Sequence, residues 1–112
     1  MKKFLALYMA PAATIRALVK SMSPETNKAE MDAWMTWAKA NEKSVVDLGM
    51  PLGKTKRVSV SGVADTKNQI TGYSIVQGAS AAGVAKIFKK HPHMRHKGAS
   101  VDILDIVQLP GM

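Results

Sequence analysis

Apolar and polar positions change period several times along this chain, and each change marks an element. From Lys3 to Met9 nothing alternates: Phe4, Ala6 and Tyr8 fall on one face of an extended segment, Leu5, Leu7 and Met9 on the other. A strand apolar on both faces belongs at the centre of a sheet, and Pro11 ends it. Ile15, Leu18, Val19 and Met22 then recur at helical spacing, predicting a short helix from about Ala12 to Lys20. Ser23-Pro24-Glu25 is a helix start, with a capping hydroxyl, Pro at the first helical position and an acid in the first turn. Met31, Trp34, Met35 and Ala38 form its apolar stripe, Val45 continues the stripe, and Trp37 sits on the flank where it would border a cavity.

The next segments have the period of strands. Val46 to Leu52, broken by Gly49 and Pro51, reads as an edge strand. Lys56 to Ser61 alternates, with Val58 and Val60 on one face, and Asp65 to Gln69 reads as a polar loop. Gly72 to Gly78 is a strand rich in large and β-branched residues. Ser80 is a fitting N-cap for a helix over Ala81 to Lys90, with Val84, Ile87 and Phe88 on its apolar face and Pro92 preventing continuation. After a basic loop, Val101 to Val107 supplies a last strand. The order β-(α)-α-β-β-β-α-β predicts one α+β domain over residues 1–112, a ferredoxin-like antiparallel sheet with helices on one face. The first and last strands are apolar on both faces, so the uncovered face needs a partner. A second copy is the simplest one, and a homodimer is expected.

Composition narrows the chemistry. The chain has 112 residues, 46% of them apolar, enough for a single core without staples. Its lack of cysteine excludes disulfides, thiol catalysis and thiolate-bound metal. No apolar run approaches the roughly 20 residues of a membrane span. Lys2-Lys3 followed by FLALYMA imitates a secretory signal, but its apolar core is short and interrupted by Tyr8, and the same residues serve as a buried strand; a cytoplasmic protein is expected. The net charge of +8 suits acidic partners without naming one.

Read together, Met1-Lys2-Lys3-Phe4 through Tyr8, Ser23-Pro24-Glu25, Gly49-Met50-Pro51-Leu52-Gly53, Thr66-Lys67-Asn68-Gln69-Ile70-Thr71-Gly72-Tyr73, Pro92-His93-Met94, Gly98 and Ser100-Val101-Asp102-Ile103 resemble the YCII-related proteins, particularly their DGPF-type branch. The most specific piece is the T-K-x-Q-x-x-G-Y run. The resemblance implies a dimeric α/β barrel. Where the DGPF signature would fall, this chain has Ser61-Gly62-Val63-Ala64-Asp65. Other YCII-like proteins place a His of a His–Asp pair near the first helix. No His precedes residue 91 here, so that assignment does not transfer.

His93 is the sharpest candidate for chemistry, a general acid or base at a matched motif position. Asp105 is its proposed partner because it interrupts an apolar strand face, where an ionised carboxylate is costly unless paired or hydrated. Asp47 is a third candidate, and Tyr8, Trp37 and Tyr73 would wall the pocket. The plainer reading makes His93 a hydrogen-bonded loop residue and Asp105 a strand-edge ion pair. His91, His93 and His96 are close enough in sequence to suggest a metal, but Lys89, Lys90, Arg95 and Lys97 would repel a cation; no metal and no cofactor are expected. Nucleic acid is disfavoured, because no aromatic residue interleaves the basic run from Lys86 to Lys97 except Phe88 on the helix's apolar face. An anionic small molecule drawn to a pocket beneath these charges fits better. Two functions follow: a cofactor-independent enzyme moving protons on an acidic small molecule, or a non-catalytic dimeric module binding a ligand or a protein.

Overall fold

A computed structural model of the chain describes residues 1–111. Its elements are β1 (Lys2–Met9), α1 (Ala12–Ser21), α2 (Pro24–Ala40), β2 (Val45–Asp47), β3 (Thr55–Ser59), β4 (Gly62–Thr66), β5 (Ile70–Gly78), α3 (Ala81–Ile87), a 3₁₀ turn (Pro92–Arg95) and β6 (Ser100–Asp105). Four strands form one sheet in the order β2-β5-β1-β6, every neighbouring pair antiparallel. This mixed α+β arrangement is compatible with the ferredoxin-like plan. Among the described residues, no helix is long and apolar enough to cross a membrane.

The double-sided apolar pattern of β1 explains its central place. Phe4, Ala6 and Tyr8 are buried beneath the helices, together with Val76 of β5, Trp37 of α2, Val84 of α3 and Phe88. Leu5, Leu7 and Met9 point to the opposite face and are only half-buried. On that face Leu5 lies between Ile75 and Leu104, and Leu7 between Tyr73 and Asp102. Leu5, Leu7, Ile75 and Leu104 do not belong to the buried cluster that the helices cover.

The helix starts form as their sequences predict. The Ser23 hydroxyl accepts from the Thr26 amide at 3.1 Å, and the Thr26 hydroxyl accepts from the Ser23 amide at 2.8 Å. Ser80 caps α3 by accepting from the Gly83 amide. Such caps stabilise a helix by about 1 kcal/mol each.

Several boundaries differ from the sequence reading. Val45 does not continue the helical stripe but opens β2, opposite Val76. The expected strand to Leu52 stops at Asp47, because Gly49 turns with φ +80° and its backbone lies against the Tyr73 carbonyl. Only an isolated bridge, Pro51 to Gly72, resumes the pairing. The strand expected over Lys56–Ser61 ends at Ser59 and folds back on residues 62–66, whose last two positions fall in the expected polar loop Asp65–Gln69, to form a separate two-stranded hairpin with Val60 in its turn. α3 ends at Ile87 rather than Lys90, and β6 ends at Asp105. Among the described residues the hairpin strands pair only with each other, and the radius of gyration is 15.7 Å where about 13 Å is usual for this length.

Candidate functional site

The histidine segment is built by Pro92. It pushes His91 into an extended conformation, φ −67° and ψ 140°, and then opens the 3₁₀ turn. From that N-cap position the His91 ring turns inward, and its Nδ1 accepts the His93 amide at 2.9 Å. With Nδ1 acting as acceptor, the neutral ring carries its proton on Nε2. Among the described residues that nitrogen has no hydrogen-bond partner, and it is sealed from solvent. The ring centroids of Trp34, Trp37, Tyr8 and Phe88 lie 4.2, 4.4, 5.0 and 5.8 Å away. Burial, helped by neighbouring His93, lowers the His91 pKa from 6.5 to about 3.

His93 is also buried, and its Nε2 lies 2.9 Å from the Met9 carbonyl, to which it donates. Burial lowers its pKa; the carbonyl of Met9 opposes that shift, and His96 adds to it. The bond ties the 3₁₀ turn to the end of β1. Asp105 is not there. It lies opposite Phe4 at the other end of the sheet, whereas Met9 pairs with Ser100, five residues or about 17 Å of strand away. Asp105 is exposed, and the proposed His93–Asp105 contact does not form. Asp47 is occupied locally, its Oδ1 accepting the Gly49 amide at 2.8 Å, so it serves the turn.

The three aromatic residues proposed as pocket walls separate. Tyr8 is in the core, and its hydroxyl meets Ser74 Oγ at 2.7 Å. The Ser74 hydroxyl in turn donates to the Leu48 carbonyl at 2.6 Å. Burial pushes the Tyr8 pKa to about 12, against the effect of the Ser74 bond. Tyr73 lies on the open sheet face beside Leu7. Trp37 lines the edge of a cleft between α2 and α3.

The structure does make a histidine–carboxylate pair, from residues that the sequence reading did not join. His96 Nε2 lies 3.1 Å from Glu30 Oε1, and the same oxygen accepts the Trp34 indole N–H at 3.2 Å. With Nε2 donating to the carboxylate, Nδ1 is the nitrogen left to take a proton. Both residues line a groove of about 870 Å³ between α1, the first turns of α2, the Pro51–Thr55 loop and the start of β5. Ile15, Leu18 and Val19 form one wall, so the α1 stripe faces the groove and none of its residues is fully buried. Arg16, Lys54 and Lys67 stand around it. Glu30 and His96 are 66 residues apart, and only the fold joins them. The one local signal was Glu30 preceding Trp34 by a helical turn.

Among the described residues, no group of three His, Asp or Glu side chains is placed to hold a metal ion. No family model matches this sequence, and neither does any curated protein.

Proposed function

We propose that this is a YCII-like, cytoplasmic, homodimeric protein that performs cofactor-independent acid/base chemistry on an acidic small molecule held in the α1 groove. The observation that carries the reading is the His96–Glu30 pair in the wall of a groove of about 870 Å³, a volume usual for small-molecule sites. Glu30 orients the imidazole, which it meets through Nε2, and Nδ1 takes the substrate proton. Arg16, Lys54 and Lys67 attract the substrate's negative charge, and Ile15 and Leu18 hold its apolar part. His96 suits this role better than His93, being partly open to solvent at 21% of its side-chain surface. The YCII-like assignment draws on the T-K-x-Q-x-x-G-Y run, which leads into central strand β5. The dimer draws on the uncovered sheet face, with Leu5, Leu7, Ile75 and Leu104 available to a second copy.

The test is a panel of small carboxylic acids followed by NMR, on wild type, Glu30→Gln and His96→Gln. The reading expects one acid to bind, to exchange a carbon-bound proton for deuterium in D₂O, and to lose that exchange in His96→Gln while still binding. Binding without exchange would favour the non-catalytic ligand-binding module. Absence of any binding at the groove would end both readings of it.

A further inference from the structure

Two surfaces meet across the α1 groove. One is the apolar stripe of α1, which runs through Ile15, Leu18 and Val19 to Met22, about 10 Å along the helix axis. The other is the root of the β3–β4 hairpin, where Thr55 pairs with Thr66. Leu52 stands just before that root, its amide bonded to the Thr71 carbonyl at 3.0 Å. Val19, Met22 and Leu52 are 61%, 60% and 44% exposed. Three large apolar side chains therefore stay in water on the walls of one concave surface, which marks it as a surface that a ligand covers.

The hairpin root supplies charge. Lys54 precedes Thr55 and Lys67 follows Thr66, so the register brings the two lysines to the same end of the ribbon from neighbouring strands. Asn68 fixes the root, its Nδ2 donating to Thr55 Oγ1 at 3.2 Å and its Oδ1 accepting the Ile70 amide at 3.0 Å. Among the described residues neither lysine is in an ion pair, and neither is Arg16 on the α1 side. Glu30, the carboxylate of the lining, is occupied by His96 and Trp34. An anionic head answers the free charge, and the rest of the ligand must be apolar to cover the stripe. Among the described residues no Phe, Tyr or Trp lines the groove, so its walls offer aliphatic contact rather than a stacking plane.

We propose that the acid taken by the α1 groove is a monocarboxylate with an aliphatic chain, its carboxylate toward Lys54 and Lys67 and its chain along Ile15, Leu18, Val19 and Leu52. This rests on the reading of the groove as an acid-binding site and names the class of acid. A small polyacid would meet the cations but leave Val19 and Met22 in water, whereas each methylene laid on them removes apolar area from water.

The experiment is a titration of ¹⁵N-labelled protein with acetate, butyrate, hexanoate and octanoate, with succinate as the small polyacid. Affinity should rise by roughly twofold to fourfold per added methylene, the upper value being that of complete burial. Octanoate should shift the amides of residues 15–22, 51–55 and 66–70 saturably. Val19→Ser, at a position too exposed for folding to depend on it, should reduce the gain per methylene. Lys54→Gln combined with Lys67→Gln should weaken every acid by a similar factor and leave that gain unchanged. A flat series, or succinate binding more tightly than octanoate, would overturn the proposal while leaving acid binding at the groove intact. Octanoate shifts confined to residues 3–9, 73–77 and 101–105 would put the chain on the open sheet face and overturn it equally. Absence of binding by every acid, succinate included, would end the acid-site reading and this proposal together.

Discussion

The His91 ring makes one hydrogen bond, has four rings around it and a pKa lowered to about 3 by burial, whereas an unfolded histidine titrates near 6.5. Between those values the unfolded chain binds a proton that the folded chain refuses. The stability contributed by neutral His91 is therefore complete above about pH 6.5 and is lost as pH falls toward 3, by up to about 1.4 kcal/mol per pH unit. His93, also lowered by burial, acts in the same direction. Urea unfolding at pH 7, 6 and 5 should show this loss, and His91→Phe should have a shallower pH dependence even though it is less stable at pH 7. An unchanged slope in His91→Phe would show that His91 is not the group responsible. Gly49 is a second residue whose chemistry is dictated by its surroundings. A Cβ there would stand 1.7 Å from the Tyr73 carbonyl oxygen, at a φ of +80°. Gly49→Ala should cost more than about 2 kcal/mol in the same assay, or shift the backbone of β5. A loss under 0.5 kcal/mol, the range of ordinary surface substitutions, would mean that the turn is built differently.

At the scale of elements, the β3–β4 hairpin stands apart from the rest. It forms its own two-stranded sheet, and Val58, Val60 and Val63 are 77%, 109% and 65% exposed. Isolated two-stranded hairpins are marginal in water, whereas β1 and β5 lie inside a four-stranded sheet over the core. Amide exchange should therefore release residues 55–66 far sooner than residues 4–8 and 72–76, by local opening rather than global unfolding. Equal protection of the two regions would show that something in solution holds the hairpin down. The element was only half legible in the sequence. The alternation of Lys56 to Ser61 marked β3, but β4 contains Gly62, Ala64 and Asp65, which lower strand propensity, and it forms because β3 folds back on it. Likewise Val45 fits the helical stripe by spacing, yet the chain turns after Asn41 and pairs it with Val76.

The whole molecule combines an uncovered apolar sheet face with a net charge of +8. If that face joins a second copy, burial drives association while like charge opposes it, so salt should strengthen the dimer by screening. Sedimentation should give twice the 12.1 kDa of one chain, more completely at 0.5 M than at 0.05 M salt. Leu104→Lys, at a site already 42% exposed, should leave the fold intact and yield the single chain. A wild type that stays monomeric at high concentration and high salt would remove the dimer from the proposed function.

Local sequence by itself determined what depends on a few neighbouring residues. The caps at Ser23 and Ser80, the exit at Pro92 and the central position of a strand apolar on both faces are all of this kind. The helical period of α1 was equally legible, but not what it faces, because a stripe specifies a surface and not its occupant. The candidate site was decided by tertiary structure alone. Glu30 meets His96 only once α2 lies beside the turn after Pro92, and Asp105 misses His93 because the β1–β6 register sends it to the other end of the sheet. Periodicity tells which face of an element a side chain occupies; register and packing between distant segments decide which side chains stand within a few ångströms, and proton transfer depends on that distance.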